Sequence, residues 1–415
     1  MTESDRHPAT EPAAPSDGDR LTAALAELAV AFGANVQPGQ IVAIGSEPGK
    51  EALARAIAEA AYRHGAKFVD LAVFDVYFKR ARALYADRDT LGFVPPWLGE
   101  RILALGELHA ARVSLSGPVA PRALDGIDPE LISLDLLPRL PESMKVVNDA
   151  TTNWTIVPCP TAAWATLVHP RLEPPQALER LWTEIAHVCR LDEPDPVAAW
   201  ESRLSQLIAV SGRLDALALD SLHFEGPGTD LHVGLFATSH WCAAKFTTTG
   251  GIEHAPNVPT EEVFTTPDPG RVDGTVTSTK PLFTSGTTVT GLKVRFEGGR
   301  AVQIDADQGA EVVRGMVARD EGAARLGEVA LVDREGRIGP LGTVFYDTLL
   351  DENAASHVAL GHGYLLGIAG EDDQRRINTS EIHTDFMIGS DDVSVTGVRP
   401  GGERIPLLRG GRWQI

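Results

Sequence analysis

Near the C-terminal end, His383 and Asp385 flank Thr384 and run straight into the apolar stretch Phe386-Met387-Ile388. The pattern predicts a strand start, where alternate side chains share a face. His383 and Asp385 then point the same way. An imidazole beside a carboxylate is half of a metal site. Alone the pair says little, because His-x-Asp is more often a surface turn. Three upstream segments add weight. Each sets an acid or an imidazole beside an apolar strand or a helix: Asn257 to Thr265 with Glu261 and Glu262, Leu326 to Val332 with Glu328, and Asp351 to His357 with Glu352.

Glu328 is the most telling. Leu326 and Val329 to Val332 flank it, all suited to burial. A buried carboxylate is costly unless it is paired or bound to metal. His357 and Tyr364 are seven residues apart, which puts them on one face if that stretch is a helix. Glu352 stands just before that helix, where it also suits a cap or dipole partner. Singly, the commoner reading is a strand-end Glu in a salt bridge and a satisfied core His. Four such segments in one half of the chain point to a shared site. Glu262, Glu328, Glu352 and Asp385 carry four negative charges, which match two divalent cations if His357 and His383 are neutral. Oxygen-rich ligation with two imidazoles suits Zn, Co or Mn alike. Two such ions roughly 3.5–4 Å apart lower the pKa of a shared water towards neutrality. His254 and His362 fall near these segments as outer or substrate contacts. His223, His232 and His240 read as ordinary strand or surface residues.

The elements that must position these groups divide the chain in two. At 415 residues, two domains are expected. Leu21, Leu25, Leu28 and Phe32 recur at helical spacing behind Asp19, a cap. Ile41 to Ile44 reads as a buried strand, Glu51 to Tyr62 as a helix ended by Gly65, and Phe68 to Phe74 as a second strand. That order predicts a parallel α/β sheet in residues 21–213. Glu47-Pro48-Gly49-Lys50 lacks phosphate-loop spacing and reads as a turn and helix start. Further helices fall at Leu178 to Val188 and around Trp200 to Leu207. From about residue 213 Gly, Thr and Val rise. Val272 to Thr277, Val289 to Phe296 and Ala301 to Ala306 then predict antiparallel strands, with a tight turn at Glu297-Gly298-Gly299. Residues 214–415 are thus expected to form an α+β catalytic domain with a mainly antiparallel sheet.

Composition narrows the function classes. With 43% hydrophobic and 23% charged residues, the chain is of the soluble globular kind. No apolar run has membrane-spanning length, and no signal peptide is expected. Met1 to Arg20, rich in Pro, Ala and acids, is expected to be a disordered acidic tail. A net charge of −20 argues against nucleic acid. Cys159, Cys189 and Cys242 are too few and too scattered for a disulfide framework, which fits a cytoplasmic setting.

With these segments in place, the chain resembles the thermophilic aminopeptidase family of metallopeptidases. The resemblance covers nearly everything after the tail. It runs through Gly33 to Gln40, Asn153 to Pro158 with Pro160-Thr161, Asn257 to Pro267, Leu326 to Val332, Asp351 to His357 and His383 to Gly389. It implies two co-catalytic divalent metals held by Glu262, Glu328, Glu352, His357, His383 and Asp385, with Glu328 and Asp385 as bridges. It implies hydrolysis of N-terminal peptide bonds by a metal-activated water. Glu328 or Glu352 then moves the proton, and Tyr364 is the active-site tyrosine. It also implies a homodimer that closes the site. The stretch through Gly370 to Asp373 is shorter than the family pattern, and Cys159 replaces a common aromatic residue. Three other readings stay open: an amidase on a small non-peptide substrate, a one-iron ring-cleaving dioxygenase using His357, His383 and Asp385, and a non-enzymatic metal-binding protein.

Overall fold

The computed structural model describes residues 17–138, 140–243, 245–284 and 287–415. The N-terminal half holds a four-stranded parallel sheet in the order Phe68–Val73, Ile41–Ser46, Ala111–Ser116, Trp154–Pro158. The expected first strand runs two residues further, to Ser46. The helix Glu51–Arg63 joins it to the second strand, with Gly65 at φ +85° in the left-handed region that stops the helix. Parallel pairing follows from such crossovers, since a helix must carry the chain back to the starting edge.

Most of the acidic-tail expectation lies outside the described residues. Asp17 to Arg20, however, are helical: the first helix spans Asp17–Leu28, three residues earlier than a cap at Asp19 requires. Asp17 and Asp19 both sit in its first turn, where the helix dipole favours negative charge. The composition break at residue 213 falls inside the long helix Pro196–Leu217, whose buried Leu204, Leu207, Val210 and Leu214 continue one apolar stripe across it.

The C-terminal half carries two large antiparallel sheets and, among the described residues, two two-stranded ones. A five-stranded sheet runs His383–Met387, His357–Gly361, Leu326–Val332, Glu262–Thr265, Cys242–Ala243. An eight-stranded sheet includes Pro267–Thr277, Lys293–Glu297 and Arg300–Asp305. The expected single strand Val289 to Phe296 is broken. Thr287–Val289 pairs with Leu282–Thr284, and Lys293 begins a separate strand after Gly291 at φ +60°. The turn Gly298-Gly299 has positive φ at both residues, as a tight hairpin between twisted strands requires.

Backbone bonds join the two halves. Ile156 N donates to Pro256 O at 2.8 Å, and Val258 N donates to Ile156 O at 3.0 Å, so the segment before Glu262 extends the parallel sheet's edge. Among the described residues, no helix is long and apolar enough to cross a membrane.

Candidate metal centre

The predicted site residues converge on one face of the five-stranded sheet. Register explains how. Glu328 pairs with Ala359, and Ala359 pairs with Asp385. Ala330 pairs with His357, and Gly361 pairs with His383. Ala330, Ala359 and Gly361 are small, which clears the space between the larger groups. Gly361 cannot be replaced freely: its φ is +104°, and an added Cβ would lie 2.1 Å from Ile382 O.

His357 is therefore in a strand, not the expected helix. His357-Val358-Ala359-Leu360-Gly361 is buried throughout, and a short apolar run gives no periodicity to separate strand from helix. Tyr364 reaches the site from the loop beyond, and its ring packs 4.9 Å from the His383 ring. Glu352 does not precede a helix but ends one, Thr348–Glu352.

His357 Nε2 lies 3.1 Å from Glu262 Oε2 and 3.7 Å from Glu328 Oε1. His383 Nε2 lies 3.4 Å from Glu328 Oε2 and 3.5 Å from Asp385 Oδ2. The two oxygens of Glu328 thus turn towards different imidazoles, the placement of a bridging carboxylate. Two groups of metal-ligand geometry share it: Glu262, Glu328 and His357, and Glu328, His383 and Asp385. Glu352 lies outside both groups. Its residue surface is only partly covered, yet burial, Asp385 and Glu262 push its carboxyl pKa well up.

The donor set fits divalent metal. The other ring nitrogens fix the tautomers: His357 Nδ1 faces Ala355 O at 3.1 Å, and His383 Nδ1 faces His362 O at 2.8 Å. A carbonyl only accepts, so each Nδ1 carries a proton. In the neutral ring each Nε2 then turns a lone pair towards carboxylates. That arrangement repels unless a proton or a metal ion lies between, and it is the usual way a ligand imidazole is aimed. Burial opposes the charged form of His357, but Glu262, Glu328 and Asp385 hold its pKa well above the ordinary value. For His383, burial is outweighed by Tyr364, Asp385 and Glu328. Among the described residues, the ion pairs of Glu262 and Glu328 go to these imidazoles alone. Glu262 Oε2 is buried without a hydrogen bond of ordinary geometry. The site carries more negative charge than its protein partners offset.

A model of the thermophilic metalloprotease family, M29, matches residues 19–413. The chain belongs to that family. Aminopeptidase T from Thermus aquaticus is 41% identical over 399 residues, which cover 94% of this chain and 98% of that relative. Aminopeptidase 2 from Geobacillus stearothermophilus is 35% identical over 406 residues, covering 94% and 96%. Among solved structures, wild-type AmpT from Thermus thermophilus matches with a TM-score of 0.87 at 40% identity, covering 95% of this chain and 99% of that one. The expected family and two-part fold are borne out, and the chain is a metal-dependent peptidase. The iron dioxygenase and the non-enzymatic reading find no support among these relatives.

Several residues of this metalloprotease escaped the sequence reading. Asn353, fully buried, accepts from Glu261 N through Oδ1 at 2.6 Å, and its Nδ2 donates to Leu349 O at 2.9 Å. One side chain thus ties the backbone before Glu262 to the helix that carries Glu352. Asp347 precedes that helix. Its Oδ2 accepts from Gly117 N at 2.9 Å, and Trp164 Nε1 donates to Phe345 O at 2.6 Å. The site helix is therefore docked on the carboxyl ends of the parallel strands, the crevice where open α/β sheets commonly place ligands. Asp351 accepts from Phe345 N, and burial raises its pKa to about 7. The run Asp351-Glu352-Asn353 marked the place, but Asn and Asp in a loop look the same whether they cap a turn or brace a site. Of the outer histidines, His362 contributes its carbonyl to His383. His254 packs between Trp154 and Phe246.

Proposed function

We propose that this chain is an aminopeptidase that releases N-terminal residues from peptides. Two divalent ions, Zn, Co or Mn, would be held by Glu262, Glu328, Glu352, His357, His383 and Asp385. The observation that carries the reading is Glu328, whose two oxygens face two imidazoles aimed by backbone carbonyls. Bound metal supplies Lewis acidity and a water of lowered pKa.

The chain's own groups do the rest. Glu328 keeps the two halves of the site in register. Glu328 or Glu352 takes a proton from the attacking water and hands it to the leaving amine. Burial pushes the Tyr364 phenol up, so it stays protonated and donates a hydrogen bond to the developing oxyanion. A small pocket beside Asp385, lined by Pro281, Leu282, Phe283, Asp347, Thr348, Asp351 and Met387, has room for about one water.

A homodimer belongs to the same reading. The edge strand Phe68–Val73 exposes Phe68, Leu71 and Val73. The neighbouring helix Val76–Tyr85 adds Phe78 and Tyr85, which are 74% and 84% exposed. An open strand edge rimmed by large apolar side chains favours burial against a second copy. The three cysteines are free and buried, which supports a reducing, cytoplasmic setting.

The test pairs elemental analysis with two substrates, leucyl p-nitroanilide and its N-acetylated form. Close to two divalent ions per chain, with cleavage of the free-amine substrate only, is expected. Cleavage of small non-peptide amides without release from any peptide would overturn the reading in favour of an amidase.

A further inference from the structure

The large sheet carries a second cluster of metal-ligand type. His223 lies on the strand Ser221–Gly226, and His232 and Asp230 lie on its hairpin partner Thr229–Leu235. Register sets them in a square. His223 pairs with His232, and Glu225 pairs with Asp230. Residues two apart share a strand face, so all four side chains project together. The next strand adds Asp273 opposite His232.

As it stands the square is only partly balanced: Asp230 pairs with His223 and Glu225 with Arg404. Two carboxylates directly opposite each other repel. The imidazole rings stack at 3.8 Å and 11°, which protonation of both would penalise. His223 Nε2 lies 2.7 Å from Asp230 Oδ1, and His232 Nε2 lies 4.0 Å from the same oxygen. Partial burial and the neighbouring His223 hold His232 below its ordinary pKa, so it is neutral at pH 7. A divalent ion in contact with both Nε2 atoms and Asp230 would offset the carboxylate repulsion and satisfy both ring nitrogens. His223, Asp230 and His232 offer ligand atoms close enough together to share one ion.

We propose that His223, His232 and Asp230 bind one borderline divalent ion such as Zn²⁺, Ni²⁺ or Cu²⁺, at a site separate from the candidate active site. Two imidazoles and one carboxylate suit these ions rather than Ca²⁺ or Mg²⁺. Water completes the coordination, since Asp230 and His232 are exposed. The one obstacle is Arg404, whose Nη2 lies 2.9 Å from His223 Nδ1 and donates to it. That contact puts the ring proton on Nε2, the ligand atom. Glu225 resolves it. Its Oε2 is 3.2 Å from His223 Nδ1 and 3.1 Å from Arg404 Nη2. On binding, the proton moves to Nδ1 and is donated to Glu225, while Arg404 keeps its pair with Glu225. A carboxylate then orients the ligand imidazole, the usual outer contact of a metal-bound histidine. The ion would clasp the hairpin around Gly226-Pro227-Gly228 and stabilise the folded form by mass action.

The test uses the full, metal-loaded protein and Zn²⁺ itself. Equilibrium dialysis at micromolar free Zn²⁺, followed by elemental analysis, compares the wild type with His232→Ala and Asp230→Asn. Both positions are exposed, and circular dichroism checks the fold. Each variant is expected to hold one ion fewer per chain, to lose the Zn²⁺-dependent rise in Tm and to keep peptidase turnover. Equal ion counts in variants and wild type overturn the proposal. So does loss of turnover together with the ion, which would place that ion in the active site. The comparison reads a difference of one ion, so it does not depend on how many ions the active site holds.

Discussion

Glu261 and Glu262 are neighbours in sequence, both buried, and their surroundings are opposite. Glu261 is paired to excess. Arg203 Nε lies 2.5 Å from its Oε2, and Arg190 Nη2 lies 3.0 Å from its Oε1. Arg203 also reaches Asp333 at 3.2 Å, which Trp413 Nε1 bonds at 2.7 Å. Among the described residues, Glu262 meets only His357 at such distances, and beyond it lie more carboxylates. The first network balances its charge with guanidinium groups that cannot lose their protons. The second leaves a deficit of positive charge that metal can fill. Burial of a carboxylate is thus not a sign of function. What distinguishes a site is buried charge that the protein itself does not neutralise.

Substitutions can break that contrast. Glu328→Gln is expected to lower leucyl p-nitroanilide turnover by at least ~100-fold with the circular dichroism spectrum unchanged, since both halves of the site lose their shared ligand. Wild-type turnover in a folded, metal-loaded variant would sink the site assignment. Glu261→Gln should act on stability instead. It strands Arg203 and Arg190 in the interior and should cost about 3–5 kcal/mol, read from denaturant unfolding. Glu262→Gln is the counterpart. Burial already pushes the Glu262 carboxyl up, so removing its charge should raise the Tm of chelator-treated protein while abolishing activity. A fall in metal-free Tm as large as that of Glu261→Gln would erase the distinction.

The imidazoles offer the same contrast. His254 is buried beside Trp154 and Phe246, and neither ring nitrogen has a hydrogen-bond partner among the described residues. Burial lowers its pKa from 6.5 to about 4, whereas carboxylates hold His357 up. Between those two values the unfolded chain binds the proton and the folded chain does not, so stability falls as pH drops from 6.5 towards 4. The loss reaches about 3 kcal/mol. His254→Phe should flatten the Tm-against-pH curve over that window relative to the wild type, and an unchanged slope would rule His254 out as its source. The smallest effect expected is from Asn353→Ala. It should cost about 1–3 kcal/mol and weaken metal retention roughly 10–100-fold, because the backbone before Glu262 loses its acceptor. Dialysis against chelator reads the second effect directly.

The sequence by itself determined a good deal of this protein. Apolar runs punctuated by Gly marked the parallel sheet, because a buried strand and its crossover helix differ in period and length. Acids and imidazoles set against such runs marked Glu262, Glu328, Glu352, His357, His383 and Asp385, because a charge in an apolar context is costly wherever the chain folds. What the tertiary structure alone decided was partnership. Glu261 and Glu262 look alike in sequence, and only packing brings Arg190 and Arg203 to one and His357 to the other. His357-Val358-Ala359-Leu360-Gly361 has no period that separates helix from strand, and pairing with Leu326–Val332 settles it as strand. His223 and His232 were unremarkable as letters, and hairpin register set them face to face. Local chemistry is written along the chain. Charge balance is a property of neighbours that are distant in sequence, and folding alone selects them.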